Sequence, residues 1–283
     1  MKIAVVIAAR NAAAMIAEQL QALAEAEPPP GEWEVILCDN GSTDGTREIA
    51  ERYRARLPLR IVDGPDGPSI GGARNTGVAA SDAEALIFCD ADDVVSGMFL
   101  RAMAGALERH EAVGARAELQ HLNSPWTRAP RDDLDGLRIL PFPPHLPFAS
   151  GYGFGVHRRR HDDIGGFDET MALEDVDYSI RLQRAGVTLS YEPGAIVHYR
   201  VRSKLGEIGR QAFVYADGFA LLQKRYGEGP RLSPWLWPLK GWTHVLGALP
   251  GVTTRAGRAR LVWRAGWQLG RIAGSIRHRV LAG

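Results

Sequence analysis

The sequence predicts an α/β fold with a mostly parallel central sheet flanked by helices, followed by a basic helical extension. Short apolar runs rich in valine and isoleucine alternate with segments of helical composition, which is typical of right-handed β-α-β units. From Gly229 onward the chain contains no acidic residue, which sets this segment apart. The runs that we assign to strands are Lys2–Ala8, Glu34–Cys38, Leu59–Val62 and Ala85–Cys89.

Length and composition are those of an ordinary folded protein. The chain has 283 residues, 45% hydrophobic and 24% charged, which is enough for one large domain or for a domain with an appendage. Cys38 and Cys89 each end an apolar run, so we expect buried thiols and no disulfide. The apolar start of the chain is too short for a secretion signal, and no run of about 18 apolar residues would span a membrane. We therefore expect a cytoplasmic protein.

Helices are predicted between and after these strands. Asn11 is a candidate N-cap for a first helix over 12–26, where alanine is frequent. Further helices are expected over 44–56, 71–80, 174–185 and 211–226, and a further strand over 187–191. The stretch from Gly114 to Phe148 is irregular and rich in proline, and we expect a loop over the site there.

Polar residues gather where the predicted strands end. Ala9–Asn11, Asp39–Asp44 and Asp90–Asp93 each follow a strand directly. Ligands of open α/β sheets bind outside the carboxyl ends of the strands. These three loops are therefore the predicted site.

Three carboxylates follow the fourth strand, at Asp90, Asp92 and Asp93. Carboxylates this close repel one another unless a cation neutralises them, and oxygen ligands of this kind suit Mg²⁺ or Mn²⁺ bound to phosphate oxygens. The alternative is an acidic loop ahead of a helix near Ser96. The position after a buried strand favours the metal.

Two other motifs have both a structural and a functional interpretation. In Asp39-Asn40-Gly41-Ser42 the Asn-Gly pair is typical of a turn, while Asp39 can also accept hydrogen bonds from a nucleobase or ribose. Between Gly71 and Gly77, small residues let a backbone approach a phosphate, which Arg74 can bind with both ends of its guanidinium. The same glycines can instead serve close packing of a helix on the sheet.

Carboxylates recur at the start of the predicted helix over 174–185. Asp175 and Asp177 are two residues apart and do not share a helix face, and Asp177 can pair with Arg181 one turn later. Glu174 and Asp175 can stabilise the helix dipole, or they can take part in catalysis. The spacing alone leaves both interpretations open.

In their order, these motifs resemble those of the family 2 glycosyltransferases, inverting enzymes with the GT-A fold. Residues 1–93 match through the first strand with Arg10-Asn11, the Asp39–Asp44 loop, the Gly72-Ala73-Arg74-Asn75 helix start and the Asp90-Ala91-Asp92 loop. After a variable gap, residues 165–186 match the Gly-Gly-Phe-Asp-Glu and Glu-Asp-x-Asp segment. The resemblance covers about residues 2–200, and it rests on five motifs in the family's order.

The resemblance implies a role for each matching residue. Asp175, with Glu174 beside it, would be the general base. Asp90 and Asp92 would form the metal–diphosphate site, with His198 as a third residue there. The nucleotide sugar would be bound by residues of four segments, one of which is the loop that carries Asp90. These residues are Ala9, Arg10, Asn11, Asp39, Gly71, Arg74, Asn75, Asp90 and Ala91.

The implied reaction is the transfer of a sugar from a nucleotide-diphosphate donor to an acceptor hydroxyl with inversion, assisted by Mn²⁺ or Mg²⁺. The acceptor stays open among a saccharide, a lipid-linked glycan and a small molecule. A nucleotidyltransferase would share the fold and the metal chemistry, but it does not account for Glu174 and Asp175. A non-catalytic nucleotide-sugar-binding protein is the other alternative, and the presence of every expected carboxylate argues against it.

The C-terminal tail differs from the rest of the chain in charge. Residues 229–283 hold one lysine and eight arginines, whereas residues 1–228 hold 25 basic and 33 acidic groups. We therefore place a boundary between a catalytic domain, 1–228, and a basic tail, 229–283. An asymmetry of this kind indicates an anionic partner.

An amphipathic helix is predicted within the tail, with tryptophans beside and before it at 235, 237, 242, 263 and 267. One face is apolar and the opposite face basic: Val262, Ala265, Leu269, Ile272, Ile276 and Val280 against Arg260, Arg264 and Arg271. Such a helix suits an anionic membrane surface, here the inner face of the plasma membrane.

The alternatives for this helix are packing on the acidic catalytic domain or on a second subunit of a homodimer. Glycines at 266, 270 and 274 would allow such close packing. Nucleic acid is not expected as a partner, because the tail has no nucleic-acid-binding motif.

Overall fold

The computed structural model describes residues 1–65, 67, 69–131, 136–228 and 237–281, except for the side chains of 237–240. Two compact units are distinguished. The first comprises Met1–Glu118, Leu134–Arg138 and Pro147–Arg200, and the second comprises Leu119–Asp133, Ile139–Leu146 and Val201–Gly283. The predicted boundary after residue 228 stays a prediction, and residues 229–236 lie outside the described part of the chain.

Four of the strands follow the four predicted apolar runs closely. In chain order the strands are β1 Ile3–Ala9, β2 Trp33–Asp39, β3 Leu59–Asp63, β4 Ala85–Asp90, β5 Val94–Val95, β6 Ala112–Glu118, β7 Arg138–Ile139, β8 Pro147–Phe148, β9 Phe154–His157 and β10 Leu189–His198. The central strands are buried on both faces, as their unbroken apolar sequences predict: Val5, Val6 and Ile7 of β1 have no exposed surface.

The helices in chain order are α1 Ile16–Glu25, α2 Thr46–Glu51, α3 Ile70–Ala79, α4 Phe99–Leu107, α5 Pro125–Arg128, α6 Arg158–Asp163, α7 Glu174–Arg184, α8 Leu205–Tyr226, α9 Trp237–Leu246 and α10 Arg255–His278. Short 3-10 helices occupy Ala129–Arg131 and Leu249–Gly251. None of the described helices is both long enough and apolar enough to cross a bilayer.

Eight strands of the first unit form one sheet in the order β3-β2-β1-β4-β9-β6-β10-β5. The pairs β3–β2, β2–β1, β1–β4 and β6–β10 are parallel, whereas β9 runs antiparallel to both β4 and β6, and β5 runs antiparallel to β10. The α/β class with a mostly parallel sheet is confirmed. Both cysteines lie buried and unpaired in this sheet, as expected.

Asn11 is not a helix N-cap, contrary to expectation. Residue Met15 caps α1, and Asn11 has φ +50°, in the left-handed region that asparagine tolerates. Its side-chain oxygen instead accepts the backbone N–H of Thr43, at 2.9 Å. The side chain therefore joins two loops rather than starting a helix.

Part of the predicted loop from Gly114 to Phe148 is sheet. Strand β6 continues to Glu118, and Gly114 lies within it. A Cβ on Gly114 would lie 2.7 Å from Leu137 and 2.8 Å from Ala149, so this glycine serves close packing and does not break the strand. Strand β10 is also longer than predicted, because a bulge between Glu192 and Ile196 accommodates Pro193-Gly194.

An aromatic cluster fixes α7 against the sheet. The rings of Phe167 and Tyr178 stack at 4.2 Å between centroids, and Phe88 of β4 meets the Phe167 ring edge-on at 4.9 Å. All three side chains are buried in one core cluster. The start of α7, which carries Glu174 and Asp175, is thereby held at a fixed position relative to β4.

In the second unit, α10 packs closely along α8. A Cβ on Gly266 would overlap the carbonyl oxygen of Gly209, and one on Gly270 would overlap that of Phe213. A Cβ on Gly274 would approach Ala220 Cβ to 2.8 Å. The glycines that recur every four residues therefore allow the two helix backbones to meet. Trp235 of the predicted tail lies outside the described residues.

Candidate active site

The carboxyl ends of three parallel strands bring the predicted loops to one edge of the sheet. Ala9, the last residue of β1, pairs in register with Asp39, the last residue of β2. On the other side of β1, Ala8 is paired with Asp90, the last residue of β4. Two predicted site residues thus flank the end of β1, as the topology requires.

The loop after β2 holds Asp39 in place. The Asp39 carboxylate is buried and accepts the backbone N–H of Ser42 at 3.1 Å, and the guanidinium of Arg47 lies 3.8 Å away. Asn40 is buried as well, and its amide group donates to the Ser69 carbonyl at 3.2 Å. The side-chain oxygen of Asn40 is buried without a hydrogen-bond partner.

The loop after β1 is connected to the Asp39 loop. Ser42 accepts the Asn11 backbone N–H at 3.0 Å, and Asn11 in turn accepts from Thr43. Arg10, next to Asn11, is exposed at the same edge. The structure therefore brings Ala9, Arg10, Asn11 and Asp39 together.

Arg74 joins the end of β4 to the start of α7. Its side chain is only 2% exposed, with Nη2 donating to Asp90 Oδ1 at 2.8 Å and Nη1 donating to Glu174 Oε1 at 2.7 Å. Gly151 leaves room for the guanidinium, because a Cβ there would overlap it. The Asp90 and Glu174 carboxylates therefore share one buried cation.

Asp175 lies beside this bridge and remains partly exposed. Its Oδ2 accepts the backbone N–H of Gly151 at 2.9 Å, and its Oδ1 accepts that of Val176 at 2.8 Å. Burial raises the pKa of Asp175, and the charge of Arg74 opposes that rise. Burial also raises the pKa of Glu174, to about 8, again against the effect of Arg74. Asp175 is thus a partly exposed residue with a raised carboxyl pKa, which suits a general base, and its catalytic role stays a prediction.

Asp177 points elsewhere, as its spacing from Asp175 predicts. It is fully buried and pairs with Arg181 at 2.7 Å, one helical turn away. Arg181 also donates to the Ile164 carbonyl at 2.7 Å. This pair therefore fastens α7 to the segment before it.

Asn75 and Gly71 support the Gly165-Gly166-Phe167 turn. Asn75 accepts the backbone N–H of Phe167 at 2.9 Å and donates to the carbonyl of the same residue at 3.0 Å. Gly166 has φ +72°, and Gly71 lies so close that a Cβ on it would be 3.2 Å from Phe167 Cβ. A direct role of Asn75 and Gly71 in nucleotide binding stays a prediction.

The loop after β4 gathers three carboxylates. One oxygen of each of Asp90, Asp92 and Asp93 lies within 4.8 Å of the others, and Ala91 is buried between the first two. Asp93 is 1% exposed; its Oδ1 accepts the Arg200 N–H at 2.7 Å, while its Oδ2 is buried without a hydrogen-bond partner.

The electrostatics of this loop favour a cation. Burial raises the pKa of Asp93 well above its usual value, and the charges of Asp92 and Asp90 raise it further. A divalent cation would relieve this repulsion, and oxygen donors suit Mn²⁺ and Mg²⁺. The orphaned oxygen of Asp93 and the grouping of the three carboxylates therefore fit a metal ion. Asp93 belongs to the predicted acidic cluster, although the family resemblance implies a metal role only for Asp90 and Asp92.

His198 lies at the end of β10, opposite Val94 of β5 in register. Its Nδ1 is 2.8 Å from Glu118 Oε2. Within the part of the chain that the structure describes, the group of potential metal ligands consists of the three aspartates and does not include His198. A metal role for His198 stays a prediction.

Gln19 is a site residue that sequence reasoning missed. It is fully buried on α1, where its Nε2 donates to the Asp90 carbonyl at 3.2 Å and its Oε1 accepts the Val95 N–H at 3.0 Å. The side chain therefore spans the Asp90–Asp93 loop from one end to the other. The signal was a glutamine on the apolar face of a helix, between Ile16 and Leu20.

Comparison with known proteins identifies the family of this chain. The model of glycosyl transferase family 2 matches residues 4–165, more than half of the chain. A second model, of glycosyl transferase family group 2, matches residues 85–264. The first match spans the three strand-end loops, and the second includes the start of α7.

Two curated relatives are glycosyltransferases. The pre-mycofactocin glycosyltransferase of Mycobacterium tuberculosis is 30% identical over 214 residues, which cover 69% of this chain and 43% of the relative. The poly(ribitol-phosphate) β-N-acetylglucosaminyltransferase TarS of Staphylococcus aureus is 32% identical over 115 residues, 40% of this chain and 20% of the relative. The chain thus spans less than half the length of either.

A solved structure shares the fold. The mannosyltransferase PcManGT from Pyrobaculum calidifontis, in complex with GDP-Man and Mn²⁺, superimposes with a TM-score of 0.67 at 19% identity. The similarity covers 98% of this chain and 86% of the other. The predicted GT-A fold is confirmed by this match.

Proposed function

The chain belongs to glycosyl transferase family 2, and we propose on that premise that it moves a sugar from a nucleotide-diphosphate donor to an acceptor hydroxyl with inversion. The observation that carries this proposal is the Arg74 bridge. It holds the carboxylate loop after β4 beside the carboxylate of Asp175. A nucleotidyltransferase would not need a base on α7, so the arrangement favours glycosyl transfer.

The donor would lie along the edge formed by the ends of β1, β2 and β4. Asp39 offers a carboxylate acceptor to a nucleobase or ribose, with Ala9, Arg10 and Asn11 forming the neighbouring wall. The similar PcManGT structure holds GDP-Man, which supports a nucleotide-diphosphate sugar as donor.

A divalent cation, Mn²⁺ or Mg²⁺, would be held by Asp92 and Asp90, with Asp93 as a third oxygen donor. When bound, it would stabilise the negative charge that develops on the departing diphosphate. The Mn²⁺ bound to PcManGT supports this assignment. His198, which pairs with Val94 at the end of β10, would contribute from the side.

Asp175 would accept the proton of the acceptor hydroxyl while that oxygen attacks the anomeric carbon from the face opposite the diphosphate. A single displacement of this kind inverts the anomeric configuration. Gly151 and Val176 orient the carboxylate through their backbone N–H groups. Glu174 is buried against Arg74, so its proposed part is to position the base and not to receive the proton.

The acceptor remains a proposal at the level of class: a saccharide, a lipid-linked glycan or a small molecule with a free hydroxyl. We place the reaction in the cytoplasm, where the unpaired Cys38 and Cys89 remain reduced. An anionic membrane surface is the proposed partner of the basic tail. A homodimer remains the alternative.

A thermal-shift screen tests the donor site. UDP-, GDP- and dTDP-sugars are added to the full chain, each with and without Mn²⁺, and the shift in Tm is recorded. A ligand that binds only the folded state stabilises it by RT ln(1 + L/Kd), where L is the free ligand concentration, so Tm rises with the logarithm of that concentration over Kd. We expect a stabilisation that requires both the metal and one nucleotide, and that is reduced by Asp92→Asn.

Hydrolysis of the stabilising donor in the absence of acceptor then separates an enzyme from a binding protein. Slow release of the nucleoside diphosphate, lost in Asp175→Asn or Asp92→Asn, supports the proposal. A chain that responds to no combination of donor and metal would not be a glycosyltransferase of this kind.

A further inference from the structure

We infer that the open face of α10 docks the protein on an anionic lipid bilayer. This face, called here the outer stripe, consists of Ala265, Leu269, Ile272 and Ile276. Val262 is not part of it, because its Cγ1 lies close to Gly209 of α8, 2.8 Å from where a Cβ on that glycine would be. These residues are three or four apart, so their side chains lie on one side of the helix. The inference concerns the second unit alone and does not depend on the proposed reaction.

Two other sides of α10 are covered within the second unit. The glycine side, at Gly266 and Gly270, lies against α8. A further side faces α9: Arg264 donates to the His244 carbonyl at 2.9 Å, and Gln268 lies against Gly241. The outer stripe lies on neither of these sides.

The outer stripe exposes apolar surface. Leu269 is 50% exposed and Ile276 is 74% exposed, and these two residues are seven positions apart on the same face. Helix α9 adds Trp242 and Leu246, which are four residues apart and 38% and 59% exposed. A pattern of this kind on a water-soluble helix would be costly unless another apolar phase covers it.

The charge around the stripe is mainly positive, although Arg277, next to Ile276, is paired with Asp217 of α8 at 2.6 Å. Residues 229–283 contain no aspartate or glutamate, and six arginines of α10 and its C-terminal end are exposed: Arg255, Arg258, Arg260, Arg264, Arg277 and Arg279. Each basic group near an anionic membrane adds to the attraction. Exposed leucine and isoleucine framed by arginine are typical of a helix that lies in the bilayer interface.

This charge argues against the other two occupants. In a two-fold dimer through the stripe, each partner would present arginines to arginines, and the tail would offer no carboxylate to compensate them. Nucleic acid would neutralise the arginines but would leave Leu269 and Ile276 without an apolar contact. Anionic lipid satisfies both the charge and the apolar surface.

Vesicle flotation of the full chain tests the inference. Vesicles of phosphatidylcholine alone are compared with vesicles that also contain phosphatidylglycerol, at low and at high salt. The test variant is Leu269→Asn with Ile276→Asn, and Arg258→Gln with Arg279→Gln tests the charge. The matched control is Val214→Asn on α8, which removes a side chain that is 39% exposed but lies outside the stripe.

We expect the wild type and the control to float with the anionic vesicles and to be released by salt. The apolar double variant should bind at least about tenfold more weakly, since two side chains no longer enter the interface. Circular dichroism and Tm establish whether the variants fold. If the apolar variant does not fold, the flotation of the arginine variant is compared with that of the wild type instead.

Two results would overturn the inference. One is equal flotation of the wild type and both double variants. The other is a wild-type dimer in light scattering that becomes monomeric in the apolar variant, because the stripe would then be an interface between two copies.

Discussion

The guanidinium of Arg74 lies 2.7 Å from the carboxylate of Glu174, although the two residues are 100 positions apart in the sequence. The same guanidinium is 2.8 Å from Asp90, and only 2% of the side chain is exposed. The positive charge of Arg74 thus compensates one carboxylate in the loop after β4 and one at the start of α7. Removal of one partner would leave a buried charge uncompensated, which is costly.

Replacing Arg74 should shift the pH dependence of the reaction. Arg74 opposes the rise in pKa that burial causes at Asp175 and Glu174, so both pKa values rise further in Arg74→Gln. A general base works in its deprotonated form, and kcat therefore falls as the pH drops through its pKa. We expect the acidic limb of the kcat profile to move to higher pH in the variant.

The wild-type limb should already lie above the ordinary range for an aspartate, because the pKa of Asp175 is raised. Arg160→Gln is the control, since Arg160 pairs with Glu111 and Asp163 at the surface. An unchanged limb in Arg74→Gln would show that Arg74 does not act on the base.

Asp175→Asn should lower kcat by about 10²- to 10⁴-fold, the usual contribution of a general base. The donor KM should change little, because Asp175 lies on α7 and the donor edge is formed by β1, β2 and β4. Asp163→Asn, which removes an exposed carboxylate of α6, is the control. Near-normal turnover in Asp175→Asn would remove this residue from the mechanism.

The local patterns of the sequence are sufficient to predict the parallel strands β1 to β4 of the sheet and the edge at which the candidate site lies. The apolar runs at β1, β2 and β4 are continuous, and the polar residues that follow them meet at the edge because the strands are parallel. Strand β9 was missed for a physical reason. Its four residues, Phe154–His157, have no alternation of their own and owe their conformation to antiparallel partners on both sides.

The ion pairs of Arg74 could not be predicted from the residues around it in the sequence. A glycine-rich helix start with one arginine predicts an anion nearby, and the sequence does not say whether that anion is a phosphate or a carboxylate. Structure places both of its amino ends on carboxylates, one of them from a distant helix. In the tail, the four-residue glycine period allowed close packing as one alternative, and the structure shows these glycines against α8.

Gln19→Ala should weaken metal binding. Gln19 holds the Asp90 carbonyl and the Val95 N–H, and thereby the shape of the carboxylate loop between them. Loss of a group that orients metal ligands typically costs about 10- to 100-fold in affinity. The measurement is a Mn²⁺ titration of the free protein, with Tm or calorimetry as the readout.

Gln21→Ala on the same helix is the control for this experiment, because Gln21 pairs with Glu25 and does not reach the loop. A Mn²⁺ affinity equal to that of the control would show that the loop keeps its shape without Gln19.

Gly151→Ala should reduce both stability and turnover. A Cβ at this position would overlap the Arg74 guanidinium, which has no room to move because both its amino ends are paired in a buried site. Overpacking of this kind costs about 1–3 kcal/mol of unfolding free energy. The Gly151 N–H also holds Asp175, so any backbone shift that relieves the overlap moves the proposed base.

Urea unfolding and kcat of Gly151→Ala are compared with those of Gly97→Ala, where an added Cβ would meet nothing within 4 Å. If the overlap is relieved by Arg74 alone, stability falls while kcat keeps a normal pH profile, and Arg74 is then structural. If the backbone at residue 151 shifts instead, Asp175 loses its hydrogen bond to the backbone N–H. The fall in kcat is then larger than the loss of folded protein accounts for. Equal behaviour of the two variants would contradict the tight fit of Gly151 against Arg74.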